Sequence, residues 1–209
     1  VTRNIHQKSY IIKTQGNAGY IDVVEANIFE EKKIRDLFQN AEICINLIGI
    51  LFEKKQNQFD LIHSQLPSLL SKLALENSLE QFIHLSALGI EDVPESKYAM
   101  SKLNGEIEIR SNFHNHVILK PSIVFSRDDN FTTLLMGMLK VLPLFPLYYE
   151  GKTNFYPIHV SDMCEIIEKI ILEEKNNVTI ECIGPEKISF KEIIQKILKS
   201  LNIKRLLIP

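Results

Sequence analysis

The sequence predicts an α/β fold built on a parallel sheet, and two observations lead to that prediction. Short apolar runs alternate with helical patterns along the chain, and residues 43–48 form a nearly continuous apolar run. Alternation of this kind is typical of parallel strands joined by crossover helices. A strand without polar positions is expected where helices cover both faces of the sheet.

Four strands and three helices are predicted in the first part of the chain. The strands cover residues 20–25, 43–48, 81–86 and 116–120, and Pro121 stops the last one. Apolar residues at helical spacing predict helices over residues 30–40, 59–77 and 95–111. Helices and strands therefore alternate as far as residue 125.

After residue 125 the pattern changes. Helices are predicted over residues 131–142, from a cap at Ser161-Asp162 to residue 174, and from a cap at Ser189 to residue 201, where Glu192 completes a capping box. A proline-rich turn is expected at residues 142–149, a short extended piece at 155–158 and a strand at 178–183. This part predicts a small separate lobe.

Composition excludes several classes of protein. The net charge is −2, which does not favour nucleic-acid binding. The three cysteines are far apart in the chain, which favours a reducing compartment. No pair of them has the spacing of metal ligands, so no metal site is predicted. No stretch is long and apolar enough for a membrane-spanning helix. The nearest, residues 132–149, is broken by Lys140, Pro143 and Pro146, and we expect a lid over a cleft more than a membrane or partner contact.

Tyr98 and Lys102 are the best candidates for chemistry, with Ser86 twelve residues upstream of the tyrosine. Residues four apart share one face of a helix. An ammonium beside a phenol lowers the pKa of the phenol, which can then act as a general acid or base. Ser86, at a strand end, could hold a substrate carbonyl. The alternative is an ordinary amphipathic helix with an exposed lysine.

Four segments of the chain resemble the short-chain dehydrogenase/reductase superfamily in its atypical, extended branch. They are Asn46-Leu-Ile-Gly49, Ser86 with Tyr98-x-x-x-Lys102, Lys120-Pro121-Ser122-Ile123-Val124-Phe125, and Pro157-Ile-His-Val-Ser-Asp162. A narrower resemblance, to the nucleotide-binding accessory subunit of respiratory complex I and its bacterial relatives, includes Phe125-Ser-Arg-Asp-Asp-Asn-Phe131 and Ile183-Gly-Pro185. The resemblance implies a Rossmann-like doubly wound sheet in residues 1–125 and a substrate or partner lobe in residues 126–209.

The resemblance also implies roles for individual residues. Tyr98 and Lys102 would be both catalytic and cofactor-binding, and Lys102 would hold ribose hydroxyls. The remaining cofactor-binding residues would be Asn46 and Gly49 in the cleft, Lys120, Pro121 and Ser122 at the nicotinamide end, Asn27 near the adenine, and Arg3 at a ribose 2′-phosphate. Because Arg3 would pair with that phosphate, the resemblance favours NADP(H) over NAD(H).

The sequence departs from the family at its start. The family's glycine-rich turn, which holds the pyrophosphate at a helix N-terminus, has no counterpart, because Gly16 and Gly19 precede a predicted strand. The first strand and helix would then be missing, with a gap between residues 20–25 and 43–48, and the C-terminal lobe would also be truncated. We expect an internal fragment, a truncated gene product or a degraded reading frame, which the upstream DNA would distinguish.

Three functions follow as competing hypotheses. The first is a non-catalytic, nucleotide-holding subunit that contacts complex I subunits, cytoplasmic and peripheral at the inner face of the membrane. The second is an NAD(P)-dependent reductase, epimerase or dehydratase of a carbonyl or sugar-nucleotide substrate that uses Ser86, Tyr98 and Lys102. The third is a nonfunctional remnant. We expect the 209 residues alone to bind NADPH very weakly, and micromolar affinity would contradict this.

Overall fold

The computed structural model describes residues 1–2, 5–127 and 129–208. Backbone contacts divide the chain into two compact units, each described here by itself. The first unit contains Val1–Ile83 and Glu95–His116, and the second contains His84–Pro94 and Val117–Pro209. The predicted domain boundary at residue 125 stays a prediction.

Helices and strands alternate, as the sequence predicts. The helices are α1 Ile5–Lys13, α2 Glu31–Phe38, α3 Gln58–Asp60, α4 Leu66–Glu76, α5 Lys97–Asn112, α6 Asn130–Val141, α7 Val160–Leu172 and α8 Phe190–Ser200. A π-helix, Leu61–Gln65, joins α3 to α4, and 3₁₀ helices cover Ile90–Asp92 and Tyr148–Gly151. The strands are β1 Ile43–Asn46, β2 Gln81–Leu85, β3 His116–Pro121, β4 Val124–Phe125, β5 Leu144–Pro146, β6 Asn154–Phe155, β7 Ile158–His159, β8 Val178–Cys182, β9 Ile188–Ser189 and β10 Leu206–Ile208.

The main sheet has four strands in the order β1-β2-β3-β8. β3 and β8 are parallel, with Val117 opposite Val178 and Pro121 opposite Cys182. All six residues of β3 are buried, as expected of a strand covered on both faces. The strands predicted at residues 43–48, 81–86, 116–120 and 178–183 are confirmed, although β1 ends two residues early.

The first unit has its core between α2, α4, α5 and the strands β1 and β2. Leu66 and Leu73 on α4 pack in one buried cluster with Phe82 of β2 and Ile109 of α5. The helix predicted over residues 59–77 is present, but its second turn is the π-helix. This core fixes the face of α5 that carries the candidate site.

The prediction of a strand at residues 20–25 is wrong. The described residues there form a single parallel bridge, between Thr2 and Glu25. The Thr2 amide donates to the Val24 carbonyl at 2.9 Å, and the Ala26 amide donates to the Thr2 carbonyl at 3.1 Å. A strand needs a partner along several residues, and this bridge provides one residue pair.

Helix α1 was not predicted from the sequence. Helical periodicity is a useful signal when one face of the helix is buried. In α1, Tyr10, Ile11 and Ile12 are exposed, so these three apolar residues mark no buried face.

The second unit packs α6 against α8. Leu135 and Leu139 of α6 join Ile194 and Leu198 of α8 in a separate buried cluster. Residues 142–149, predicted as a turn, also contain β5, which pairs in parallel with β10. The turn prediction was incomplete because the pairing segment lies more than 50 residues along the chain.

Helix caps in the second unit follow the sequence with one correction. Ser189 and Glu192 form the predicted capping box of α8. The N-cap of α7 is His159, whose Nδ1 accepts from the Ser161 amide at 3.3 Å, so the prediction of Ser161 as the cap is wrong. The ring nitrogen replaces the hydroxyl because α7 begins at Val160, before Ser161.

Candidate functional site

The candidate site in the first unit is built on the N-terminal half of α5. Ser96 caps this helix, since its side chain accepts from the Ala99 amide at 3.3 Å. Tyr98 and Lys102 follow four residues apart on the helix. Tyr98 is half-buried, and Lys102 is 5% exposed. The alternative of an exposed lysine on an amphipathic helix is therefore wrong.

Two aromatic side chains hold the Tyr98 ring. Phe59 of α3 meets it edge to face, with ring centroids 5.6 Å apart. His63 of the π-helix does the same at 5.3 Å, and Phe59 stacks on His63 at 5.5 Å. Edge-to-face pairs at these distances are favourable and fix ring orientation. Tyr98 is therefore oriented by a three-ring cluster.

His63 connects that cluster to two other segments, the loop after β1 and helix α5. Its Nε2 accepts from the Ile50 amide at 3.0 Å, and its Nδ1 lies 3.0 Å from Ser101 Oγ. The Ser101 hydroxyl donates to the Tyr98 carbonyl at 2.8 Å. Because Nε2 accepts, the neutral ring carries its proton on Nδ1 and donates it to Ser101.

The electrostatics of the site keep His63 neutral. Burial, followed by the charge of Lys102, lowers the pKa of His63 to about 4. Burial also lowers the pKa of Lys102 to about 8, while the Glu106 carboxylate one turn along the helix opposes that shift. Glu106 is itself buried and forms an ion pair with Arg110 at 3.0 Å. Lys102 thus remains mostly charged at neutral pH, and this charge disfavours a second one on His63.

The predicted lowering of the Tyr98 pKa is wrong. Burial raises the pKa of the phenol above its ordinary value. Desolvation disfavours the phenolate, and it is the dominant influence at this position. At neutral pH the phenol is therefore protonated and can donate a hydrogen bond or a proton.

Gly49 lies directly against Lys102. A Cβ at Gly49 would be 3.4 Å from Lys102 Nζ and 3.7 Å from His63 Nε2. These are ordinary van der Waals distances, so the loop after β1 runs directly beside the lysine and the histidine.

Two predicted polar residues bond to the backbone. Asn46 is buried, and its Oδ1 accepts from the Ile48 amide at 3.1 Å. Asn27 is exposed, and its Oδ1 accepts from the Phe29 amide at 3.1 Å. Asn27 and Gly49 both line a cavity of about 470 Å³, which also includes Thr2, Leu47 and residues of the π-helix. The first unit therefore brings Asn27 and the loop of residues 47–50, which contains Gly49, to one cavity.

The other predicted residues lie in the second unit. Ser86 is buried, and its amide donates to the Leu119 carbonyl at 2.7 Å. Lys120 is buried and forms an ion pair with Glu91, and burial lowers its pKa against the opposing charge of Glu181.

Pro121 and Ser122 continue this segment. The Pro121 carbonyl accepts from the Leu88 amide at 3.0 Å. The Ser122 amide donates to the Cys182 carbonyl at 3.0 Å, and its hydroxyl accepts from the Tyr156 amide at 3.3 Å. Arg3 lies outside the described residues.

His63, Phe59 and Ser101 belong to the site although they were not predicted from the sequence. The spacing of Phe59 and His63, four residues apart in a predicted helix, is a usable signal for a shared face. Gly105, isolated inside the α5 pattern, is another signal, because it lies over the His63 carbonyl.

Two classes of feature are absent from the described residues. Among these residues, no group of three or more His, Cys, Asp or Glu side chains is arranged to hold a metal ion. Nor does any helix in the described part of the chain have the length and apolar content needed to cross a membrane. Cys44, Cys164 and Cys182 are free thiols.

The fold is similar to that of solved sugar-nucleotide enzymes. A dTDP-4-dehydrorhamnose reductase from Bacillus anthracis, in complex with NADP, matches 97% of this chain and 80% of its own, with a TM-score of 0.74 and 16% identity. A UDP-glucuronic acid 4-epimerase from Bacillus cereus, in complex with UDP-glucuronic acid and NAD, matches 96% and 71%, with a TM-score of 0.76 and 20% identity. At these identities the likeness shows a Rossmann-like fold.

Sequence similarity identifies relatives among the complex I subunits. NADH dehydrogenase [ubiquinone] 1 alpha subcomplex subunit 9, mitochondrial, from Mus musculus is 31% identical over 153 residues, which is 73% of this chain and 40% of the relative. The NADH-ubiquinone oxidoreductase 40 kDa subunit of Neurospora crassa is 21% identical over 195 residues, 93% of this chain and 51% of the relative. The chain is related in sequence to these complex I subunits.

The match covers part of each relative. The chain spans about 40% to 51% of the length of these two curated relatives. No protein-family model matches the chain. The predicted resemblance to complex I accessory subunits is confirmed by these relatives, and the predicted fold class is confirmed by the solved structures.

Proposed function

We propose that the chain contributes to a nicotinamide-dinucleotide site and acts as a nucleotide-holding accessory component of a complex-I-like assembly. The observation that carries the proposal is the buried Lys102 ammonium against Gly49, on a chain related to complex I subunits. Residues 1–125 would form the nucleotide-binding part and residues 126–209 the partner lobe.

A dinucleotide suits the residues of the first unit. The cavity beside Gly49 has a mixed lining, with apolar side chains for a base and an amide at Asn27 for its edge. Lys102 would hold ribose hydroxyls, and Asn46 would support the loop that carries Gly49 through its bond to Ile48. When bound, the dinucleotide supplies hydride-transfer chemistry.

The choice between the two dinucleotides is a further part of the proposal. NADP(H) is favoured over NAD(H) because Arg3 would pair with a 2′-phosphate. Structures with this fold contain either NADP or NAD, so they support a nicotinamide dinucleotide without favouring one form. Competition of NADH against bound NADPH tests the preference, and equal affinity would contradict it.

A second candidate is an NAD(P)-dependent reductase, epimerase or dehydratase of a carbonyl or sugar nucleotide. The protonated Tyr98 phenol supports it, because a phenol can donate a proton to a carbonyl oxygen as hydride arrives. Lys102 would orient the dinucleotide, and Ser86 would hold the carbonyl. This candidate requires turnover, which the accessory role does not.

Partners and location also follow from the accessory role. We place the protein in the cytoplasm, peripheral at the inner face of the membrane, in contact with complex I subunits. Residues 132–149 would form the contact surface, since Leu134, Val141, Tyr148 and Tyr149 are exposed. The lid role expected for this segment stays a second possibility, distinguished by whether crosslinks from Val141 reach a complex I subunit.

The test uses the protein purified from its native cells. The accessory role predicts co-purification with complex I subunits, extractable nucleotide and no NADPH-dependent reduction of carbonyl substrates. Tyr98→Phe should leave the assembly intact. Absence from the complex, together with turnover that Tyr98→Phe abolishes and the exposed control Tyr20→Phe preserves, would contradict the role and support the enzyme.

A further inference from the structure

The second unit contains a cavity that the proposed function does not use. Its volume is about 390 Å³, within the usual range of about 300–1,000 Å³ for small-molecule sites. The lining comes from β4, α6, α8 and the segments near β7 and β9. Its residues are Ile123, Phe125, Phe131, Thr132, Pro157, Pro185, Glu186, Ile188, Ile193, Lys196 and Ile197.

The interior of this cavity offers little to a polar ligand. Among the described residues that line it, Thr132, Glu186 and Lys196 have polar side chains. The Thr132 hydroxyl already donates to the Asp129 carboxylate at 2.5 Å. Sugar hydroxyls placed against the remaining apolar surface would lose their hydrogen bonds to water without replacement, which is costly.

The charged groups of the lining are exposed. Glu186 and Lys196 have side chains 82% and 68% exposed, and their charged atoms are 4.0 Å apart. A ligand with a polar head could keep that head in water beside this pair, while its apolar part enters the cavity. The arrangement separates an apolar interior from a polar edge.

We propose that this cavity binds the hydrocarbon chain of an amphiphile, a free fatty acid or a lipid tail. At about 30 Å³ for each water-sized group, the volume holds a chain of about a dozen carbons. The binding is driven by burial of methylene groups, so affinity depends on chain length. The proposal is independent of the dinucleotide site and of any catalytic activity.

The first experiment measures the affinity of the chain for saturated carboxylates of six to fourteen carbons, below their micelle concentrations. Each added methylene should tighten binding by about fourfold, because its burial contributes about 0.8 kcal/mol. The increase should level off near twelve carbons, where the cavity is full. Affinity that is independent of chain length would overturn the proposal.

Variants locate the site. Ile123→Phe and Ile188→Phe each place a larger side chain in the lining and should weaken dodecanoate binding at least tenfold. The matched control Leu206→Phe, at a position 62% exposed in the same unit and outside the lining, should bind as the unchanged chain does. Circular dichroism establishes that each variant is folded. Full binding by a folded Ile123→Phe or Ile188→Phe variant would contradict the assignment.

Two further arms distinguish the sources of the chain and the competing ligand class. Co-sedimentation with phosphatidylcholine vesicles that Ile123→Phe abolishes would identify a lipid tail, whereas dodecanoate binding without co-sedimentation would identify a free amphiphile. Either result supports the proposal. Displacement of dodecanoate by UDP-glucose, or binding of neither dodecanoate nor vesicles, would overturn it.

Discussion

The contact between α5 and the π-helix gives the sharpest prediction about stability. Gly105 of α5 faces His63, and a Cβ at residue 105 would lie 1.9 Å from the His63 carbonyl oxygen. Heavy atoms essentially never approach a Cβ closer than 3.0 Å. Gly105→Ala must therefore move α5, or the π-helix beneath it, by about 1 Å.

The free-energy cost follows from two opposing effects. Overpacking a tight contact costs about 1–3 kcal/mol, and a rigid backbone oxygen places this case near 3 kcal/mol. Replacing glycine by alanine inside a helix recovers about 1 kcal/mol. We expect Gly105→Ala to lower the free energy of unfolding by about 2 kcal/mol, which lowers the melting temperature by about 4–8 °C in a chain of this size.

Gly137 is the matched control. It lies inside α6, is exposed, and a Cβ there would meet no atom within 4 Å. Gly137→Ala should raise the free energy of unfolding by about 0.5–1 kcal/mol. Urea unfolding of both variants measures the two effects, and a Gly105→Ala variant as stable as the unchanged chain would refute the tight contact.

Three other outcomes follow from the same structure. The pKa of His63 is about 4 in the folded protein, against an ordinary value of 6.5, so the unfolded chain binds more protons between these two pH values. The free energy of unfolding should therefore fall as pH drops from 6.5 to 4, by at most about 3 kcal/mol. Urea midpoints at pH 7 and 4.5 should show this loss, and a loss of equal size in His63→Gln would exclude His63 as its source. The pKa of Lys102 is about 8 in the folded protein, against an ordinary value of 10.5, so the lysine contributes a gain in stability as pH rises from 8 to 10.5. Lys102→Met should remove this gain. An unchanged slope of the free energy of unfolding against pH in the variant would count against the prediction. Ser189→Ala removes the capping box of α8 and should lower the free energy of unfolding by about 1 kcal/mol, measured by thermal unfolding. Ser200→Ala, at the other end of the helix, should change it little. Equal effects of the two substitutions would contradict the role of Ser189 as the cap.

Patterns local in the chain made much of the fold predictable. The strand at residues 81–86 and the capping box at Ser189 depend on neighbours in sequence, and both are confirmed. The strand expected at residues 20–25 depended on partners elsewhere, and one bridge to Thr2 does not provide them. β5 escaped prediction for the same reason, since its partner is β10.

The helix that carries the candidate residues was predictable, and the electrostatics of those residues were less so. The helix predicted over residues 95–111 is confirmed as α5, with Tyr98 and Lys102 four residues apart on it. The pKa of Tyr98 could not be read from spacing, because burial by Phe59 and His63 depends on a helix about 35 residues away in the chain. The role of His63 likewise depends on Ile50 and Ser101, which come from two other segments.

The most direct test of the dinucleotide site is a titration of the chain with NADPH, followed by amide chemical shifts in NMR spectra. We predict weak binding, with a dissociation constant above the micromolar range, and shifts at residues 46–50 and 97–102 that Lys102→Gln abolishes. The exposed control Lys199→Gln should leave them unchanged. Shifts confined to other residues, or shifts that persist fully in Lys102→Gln, would contradict the site.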